Sequence, residues 1–272
     1  MKVAIQGIKG SFHHIVAEQY FGKNIDLVEC LSFSEMPPLL ENGKADVLIM
    51  AIENTIAGAI LPNYALVDEF KLTICGEHHL PIHHNLMALK GQEIGDIKEV
   101  YSHPMALLQC HKFFKQYPHI KLIEDKDTAA VAQRIQDNKL KEVAAIASNL
   151  AADIYGLDII APEIQTMKEN ATRFFILTNS ESKKSVSANK ASIKFITSHK
   201  TGSLGQVLTV LANYNLNLSK IQSMPVIETP WKYAFFADFV FNSYADYFNA
   251  ISEVKDKVEM LQVLGEYNKG KR

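Results

Sequence analysis

Residues 179–190 read NSESKKSVSANK, and this polar break limits the possible folds more than any other stretch of the chain. Ser and Lys dominate it, and it has almost no large apolar side chain. Such a segment cannot bury enough surface to offset the entropy of ordering itself, so it reads as a linker. The hydrophobic pattern differs on its two sides. That predicts a domain at 1–178, a linker at 179–190 and a second domain at 191–272. With 272 residues there is enough chain for two cores.

Before the linker, short apolar runs alternate with helical spacing. Strands are expected at 3–5, 25–30, 46–52, 71–75, 84–89, 98–101, 121–124, 143–147 and 174–178. Phe12, Ile15, Val16 and Tyr20 recur at helical spacing, and the clearest further helices are 104–116 and 128–139. Pro104 suits a first helical position, with Ser102 or His103 as the cap. Alternating strands and helices predict an α/β domain with largely parallel sheets, in which ligands sit beyond the carboxyl ends of strands. After the linker, 191–197 reads as a strand, and Leu204, Val207, Leu208 and Leu211 mark an amphipathic helix. Strands at 217–227 and 232–241 follow, then a helix carrying Tyr247, Ile251, Val254 and Val258, then a strand at 260–264. The order βαββαβ is ferredoxin-like.

Net charge is −2 with no basic block, so neither nucleic acid nor a membrane surface is an expected partner. The N-terminus enters a strand within three residues, which argues against a signal peptide, and no apolar run approaches the length of a membrane span. Cys30, Cys75 and Cys110 are far apart and odd in number, as expected for free thiols in a reducing, cytoplasmic setting. Histidines are doubled at 13–14, 78–79 and 83–84, but no metal-binding spacing accompanies them, and no metal is expected.

Three strand ends carry polar residues that merit attention. In ADVLIMAIENTIAGAI (45–60) an apolar strand ends in Glu53, Asn54 and Thr55, which either cap a turn and helix or present an amide and a hydroxyl to a cleft. In VYSHPMALLQC (100–110) a strand ends at Ser102 and His103 where a helix starts, and the free N–H groups of a helix start suit an anion. In NATRFFIL (170–177) a buried strand is preceded by Thr172 and Arg173. If pairing includes residue 172, alternation sends Thr172 and Arg173 to opposite faces, and Arg173 braces the strand against a carboxylate. If pairing begins at Phe174, both can face a ligand.

GxxGSF at 7–12, IENTxxG at 52–58, SHPxALxQC at 102–110, AAIAS at 144–148 and NATRF at 170–174 together resemble the prephenate dehydratase family. GSLGQVL at 202–208 and KIQSMP at 220–225 resemble the ACT domain that follows the catalytic domain in that family. The resemblance covers nearly the whole chain. It implies a two-lobed catalytic domain like that of periplasmic binding proteins, followed by a ferredoxin-like ACT domain. The implied reaction removes the ring hydroxyl and ring carboxylate of prephenate and needs no cofactor. Thr172 would donate to the leaving hydroxyl. Asn54 and Gln109 would hold the substrate, helped by Thr55, Ser102 and Arg173.

The same resemblance implies feedback by L-phenylalanine at a subunit interface, and hence a homodimer or homotetramer. Gly202, Ser203 and Leu204 would form the glycine turn of that site. Gln222, Ser223, Met224 and Pro225 stand where the family has ESRP, so an acid and a base are lost together. A chorismate mutase segment is not expected, because the first strand begins at Val3. Arogenate dehydratase has the same chemistry and stands as an alternative. A non-catalytic amino-acid-sensing protein is a second alternative, against which the joint presence of Thr172, Asn54 and Gln109 argues.

Overall fold

The computed structural model describes residues 1–180, 187–226, 229 and 231–270, so residues 181–186 of the expected linker lie outside the described part. Contacts divide the chain into two units. Met1–Asn63 and His78–Phe174 form the first, and Tyr64–Glu77 with the chain from Phe175 onward forms the second.

The first unit has two lobes. One contains β1 (Lys2–Gln6), α1 (Phe12–Phe21), β2 (Asp26–Cys30), α2 (Pro37–Glu41), β3 (Val47–Asn54), β4 (Gly58–Ala59), the start of α3 (Leu61–Glu69) and the end of β5 (Thr73–Pro81). The chain then crosses into β6 (Asn85–Ala88), β7 (Glu99–Ser102), α4 (Pro104–Phe114), β8 (Lys121–Glu124), α5 (Thr128–Asp137), β9 (Val143–Ala147), α6 (Asn149–Tyr155) and β10 (Asp158–Ala161). It returns through β11 (Ala171–Thr178). The two sheets are wound alike, β2-β1-β3-β11-β5 and β8-β7-β9-β6-β10, each with a strand from a crossing in fourth place. β1 pairs in parallel with β2 and β3, as β7 does with β8 and β9, while β6 runs antiparallel to β9 and β10. This is the two-lobed, periplasmic-binding-protein-like arrangement that the resemblance implied.

Strand alternation explains why the runs at 86–89 and 143–147 are apolar throughout. Leu86, Ala88, Ala144 and Ile146 face one core with Leu107, Cys110 and Phe114 of α4. Met87, Ala145 and Ala147 face another with α5 and α6. Strands covered on both faces read as continuous apolar runs rather than as alternating ones.

The second unit continues with β12 (Lys190–Ile196), α7 (Ser203–Asn213), β13 (Asn217–Pro225), β14 (Tyr233–Val240), α8 (Tyr244–Lys255) and β15 (Met260–Tyr267). The antiparallel order β13-β14-β12-β15 is the expected ferredoxin-like sheet. Ile193, Phe195, Val207, Leu211, Phe239 and Val254 form the core between this sheet and its helices. The opposite face also contains buried residues, because segment 64–77 covers it. Lys190 reaches both carboxylate oxygens of Glu77 at 2.9 and 2.7 Å, and Lys194 reaches those of Asp68 at 2.6 Å. Tyr64 meets Phe236 edge-on at 5.3 Å. The division by contacts therefore falls inside α3, β5 and β11 rather than at residue 178, because these long-range contacts tie an early segment to the last strands.

Gly265 permits the closest of these approaches. A Cβ there would lie 2.0 Å from the Ile74 carbonyl oxygen, which is backbone and cannot swing aside. Gly265→Ala is expected to destabilise the protein by about 1–3 kcal/mol, measured as a lower denaturant midpoint. Unchanged stability would show that the β15–Ile74 contact is not close.

Candidate active site

A cavity of about 370 Å³ lies between the lobes of the first unit. Gln6, Asn54, Thr172 and Phe174 reach it from one lobe, and His103, Gln109 and Asp127 from the other. Three helices begin at its wall. Ser11 caps α1 by accepting from His14 N, His103 caps α4 by accepting from Met105 N, and Asp127 caps α5 by accepting from Ala130 N at 2.7 Å. The positive ends of three helix dipoles favour an anionic ligand. Among the described lining residues, Lys126 is the only Lys or Arg.

Asn54 stands at the end of β3, after the buried residues 48–52 and the half-buried Glu53. Its Oδ1 accepts from the backbone N–H groups of Ile56 and Ala57, both at 2.9 Å, so the residue closes the turn into β4. The helix-cap reading of 53–55 is not met, because α3 starts only at Leu61. Nδ2 of Asn54 donates to Thr172 Oγ1 at 3.0 Å and to Asn170 Oδ1 at 2.8 Å. Asn170 Nδ2 donates to Gln109 Oε1 at 2.8 Å. Thr172, Asn54 and Gln109, far apart in the chain, thus meet in one hydrogen-bonded cluster.

Three other expected substrate ligands are placed elsewhere. β11 already includes residue 171, so Arg173 alternates away from Thr172; it is 3% exposed, and its Nη1 lies 3.2 Å from Glu53 Oε1. Ser102 is fully buried and donates to the Ile146 carbonyl at 2.7 Å, which ties β7 to β9. Thr55 exchanges hydrogen bonds with the Ala171 backbone at 2.9 and 3.0 Å, joining the end of β3 to the start of β11. All three brace the strands from which the cluster projects, and none lines the cavity.

The sequence reading missed several contributors. His84 lies in the first crossing between lobes, and its Nε2 is 2.9 Å from Gln109 Oε1. Burial lowers its pKa to about 4, against a smaller upward effect of the Gln109 bond. His13 packs edge-on to Phe174 at 5.0 Å, and burial lowers its pKa to about 3. Asp127 has its pKa raised by burial, with the N–H groups of Ala130 and Ala129 acting the other way. Doubled histidines with no motif gave no signal for His84, whereas an Asp directly before a helix was a readable cap. No group of three His, Cys, Asp or Glu among the described residues could hold a metal ion.

The second unit has a cavity of about 630 Å³, lined by Ser203, Leu204, His199, Trp231 and Phe235 among others. Gly202 caps α7 with φ 84°, a conformation that favours glycine. Gln222, Ser223, Met224 and Pro225 lie on the edge strand β13 and do not line this cavity.

Residues 3–182 match the family described as "Prephenate dehydratase". A bifunctional chorismate mutase/prephenate dehydratase of Enterobacter agglomerans is 33% identical over 98% of this chain and 70% of its own length. Arogenate dehydratase 2 of Petunia hybrida is 34% identical over 98% of this chain and 71% of its own. A prephenate dehydratase structure from Staphylococcus aureus subsp. aureus Mu50 is 26% identical, with TM-score 0.86 over 98% of this chain and 100% of that one. Two further structures share the fold. GqqA, described as a novel type of quorum quenching acylase, is 24% identical with TM-score 0.89 over 99% and 98% of the two chains. A prephenate dehydratase from Arthrobacter aurescens in complex with L-Phe is 23% identical with TM-score 0.86 over 98% and 90%. A family match that spans the whole Asn54–Gln109–Thr172 cluster, with relatives a third identical along nearly the entire chain, places this chain in the prephenate dehydratase family.

Proposed function

We propose that the cavity of the first unit catalyses the decarboxylating dehydration of prephenate to phenylpyruvate, carbon dioxide and water. One observation carries this reading. Thr172 Oγ1 accepts from Asn54 Nδ2, and no described residue accepts the Thr172 proton. Its hydroxyl is therefore a donor directed at a ligand in the cavity. In the reaction the ring carboxylate leaves as CO₂, and its bonding pair enters the ring as the bond to the hydroxyl breaks. A proton delivered at Thr172 converts the departing hydroxide to water. A threonine hydroxyl is a weak acid, so it acts by hydrogen bonding to the leaving oxygen or by relaying a proton from water. The three helix N-termini and Lys126 offset the charge of the two substrate carboxylates.

Arogenate is a second reading, favoured by Asp127. The two substrates differ in the side chain, where arogenate has an ammonium in place of a keto oxygen, and the Asp127 carboxyl in the cavity is an acceptor for the ammonium. The ratio of kcat/KM values for the two substrates decides between them.

Thr172→Ala is expected to lower kcat on prephenate by roughly two to three orders of magnitude, the usual effect of losing a transition-state donor. Thr172→Ser keeps the hydroxyl and is expected to stay within about tenfold of the parent. The absorbance of the aromatic product follows both, and near-normal turnover by the Ala variant would remove Thr172 from this role.

We further propose that the C-terminal sheet is an ACT domain binding L-phenylalanine, in a cytoplasmic homodimer or homotetramer. Its ferredoxin-like topology, the Gly202 turn and the cavity at Ser203 and Leu204 support the ligand site. The edge position of β13 leaves Gln222–Pro225 open to a second copy. Free cysteines agree with a reducing compartment. L-Phenylalanine is expected to raise the melting temperature and slow turnover, and Ser203→Tyr, which fills the cavity, is expected to abolish both effects with basal turnover retained. A variant still sensitive to phenylalanine would place the ligand elsewhere.

A further inference from the structure

The cluster around Thr172 has a direction, and that direction is set by the backbone. Ile56 N–H and Ala57 N–H both point at the Asn54 side chain, and a backbone N–H can only donate. The Asn54 atom facing them is therefore its oxygen, and its NH₂ must face Asn170 and Thr172. Asn170 accepts there at 2.8 Å, so its own NH₂ must face Gln109. Gln109 accepts in turn at 2.8 Å, so the atom of Gln109 that also meets His84 Nε2 at 2.9 Å is its oxygen. An oxygen at that place requires the proton of His84 to be on Nε2. Each assignment follows from the one before it, from two peptide groups to one imidazole.

The far side of Gln109 follows as well. With Oε1 held by Asn170 and His84, the NH₂ is the free half of the amide. Gln109 lines the cavity, and no described residue accepts from its Nε2. We propose that Asn170 and His84 are positioning residues that lock the Gln109 amide with its oxygen turned away and its NH₂ turned toward a substrate carboxylate. This rests on the reading of the cavity as the site of a dianionic substrate. A flipped Gln109 would set a carbonyl oxygen against that carboxylate. The same relay gives Thr172 its donor role, since Asn54 occupies an acceptor position on Oγ1. Asn170 suits the task, because it is 2% exposed and its carbonyl accepts from Ile82 N at 2.7 Å. It links Asn54 on one lobe to Gln109 on the other.

The test combines a tautomer and a kinetic split. In full-length protein with ¹⁵N-labelled histidine at neutral pH, His84 is expected to be neutral and protonated on Nε2, its signals identified by their loss in His84→Gln. Burial keeps it neutral there, since its pKa lies near 4. Asn170→Asp turns an acceptor toward Gln109, which must then rotate and present NH₂ to both neighbours; the His84 proton is expected to move to Nδ1. Asn170→Ala releases Gln109 but leaves Asn54 on its two peptide groups. It is expected to raise the KM for prephenate roughly tenfold, the effect of one hydrogen bond to a charged group, with kcat within about threefold. A parent His84 protonated on Nδ1, an unmoved tautomer in folded Asn170→Asp, or an Asn170→Ala variant that loses kcat at constant KM would overturn the proposal. If Asn170→Asp does not fold, the parent tautomer and the alanine kinetics still decide. If the parent fails to turn over prephenate, the substrate reading falls, while the tautomer still tests the direction of the relay.

Discussion

The hydrogen bond from Asn54 Nδ2 to Thr172 Oγ1 is the contact on which the rest of the first unit depends. It joins the end of β3 to the start of β11 across 118 residues of sequence, and both strands lie in one sheet. Its neighbours serve to hold that geometry. Thr55 pairs with the Ala171 backbone just beyond it, and the Arg173–Glu53 ion pair lies beside it. Arg173 is almost fully buried, so removing Glu53 would take a carboxylate away from a guanidinium held in a poor solvent for charge. The polar residues around the cluster thus divide between a few groups that face the cavity and several that keep them still.

A dianionic substrate presents this site with a charge problem, and formal positive charge is not the main answer. Lys126 is the sole lysine or arginine among the described lining residues, and His13 and His84 are held neutral by burial. In the proposed reaction the field comes instead from oriented dipoles, namely three helix starts and the amide of Gln109. Dipoles fixed by the fold need little reorganisation when charge moves from a carboxylate to a departing hydroxide. A lysine pair would bind the ground state at least as well and favour the transition state less.

Much of the fold was readable because the strands are buried on both faces and therefore apolar without interruption, as at 47–52 and 143–147. α3 was not readable. Leu61, Tyr64, Leu66 and Val67 lie around its circumference with no polar stripe to mark a period. The start of β11 was hidden in the opposite way, because Asn170 and Thr172 are polar residues that resemble a loop yet are buried with Asn54 as a shared donor. That ambiguity left the side of Arg173 open. Ser102 shows the limit of inference from strand ends: its hydroxyl sits where a ligand group is expected, yet it is satisfied within the sheet by a carbonyl 44 residues away. His84 and Asn170 gain their meaning only from partners distant in sequence, which no local pattern records.

The second unit is assembled from two separated pieces of chain, and this affects how the protein is made. Residues 64–77 leave the ribosome long before β12 to β15 exist, carrying Tyr64, Val67, Leu72 and Ile74 that are buried in the finished protein. Glu77 emerges with them, and its partner Lys190 comes only after both lobes of the first unit have been synthesised. The nascent chain must therefore carry Tyr64 and Glu77 until Phe236 and Lys190 arrive to meet them. A chain cut at the polar break around residue 180 would lose Phe236 and Lys190 as partners of Tyr64 and Glu77, so the visible seam in the sequence is a poor place to divide the protein.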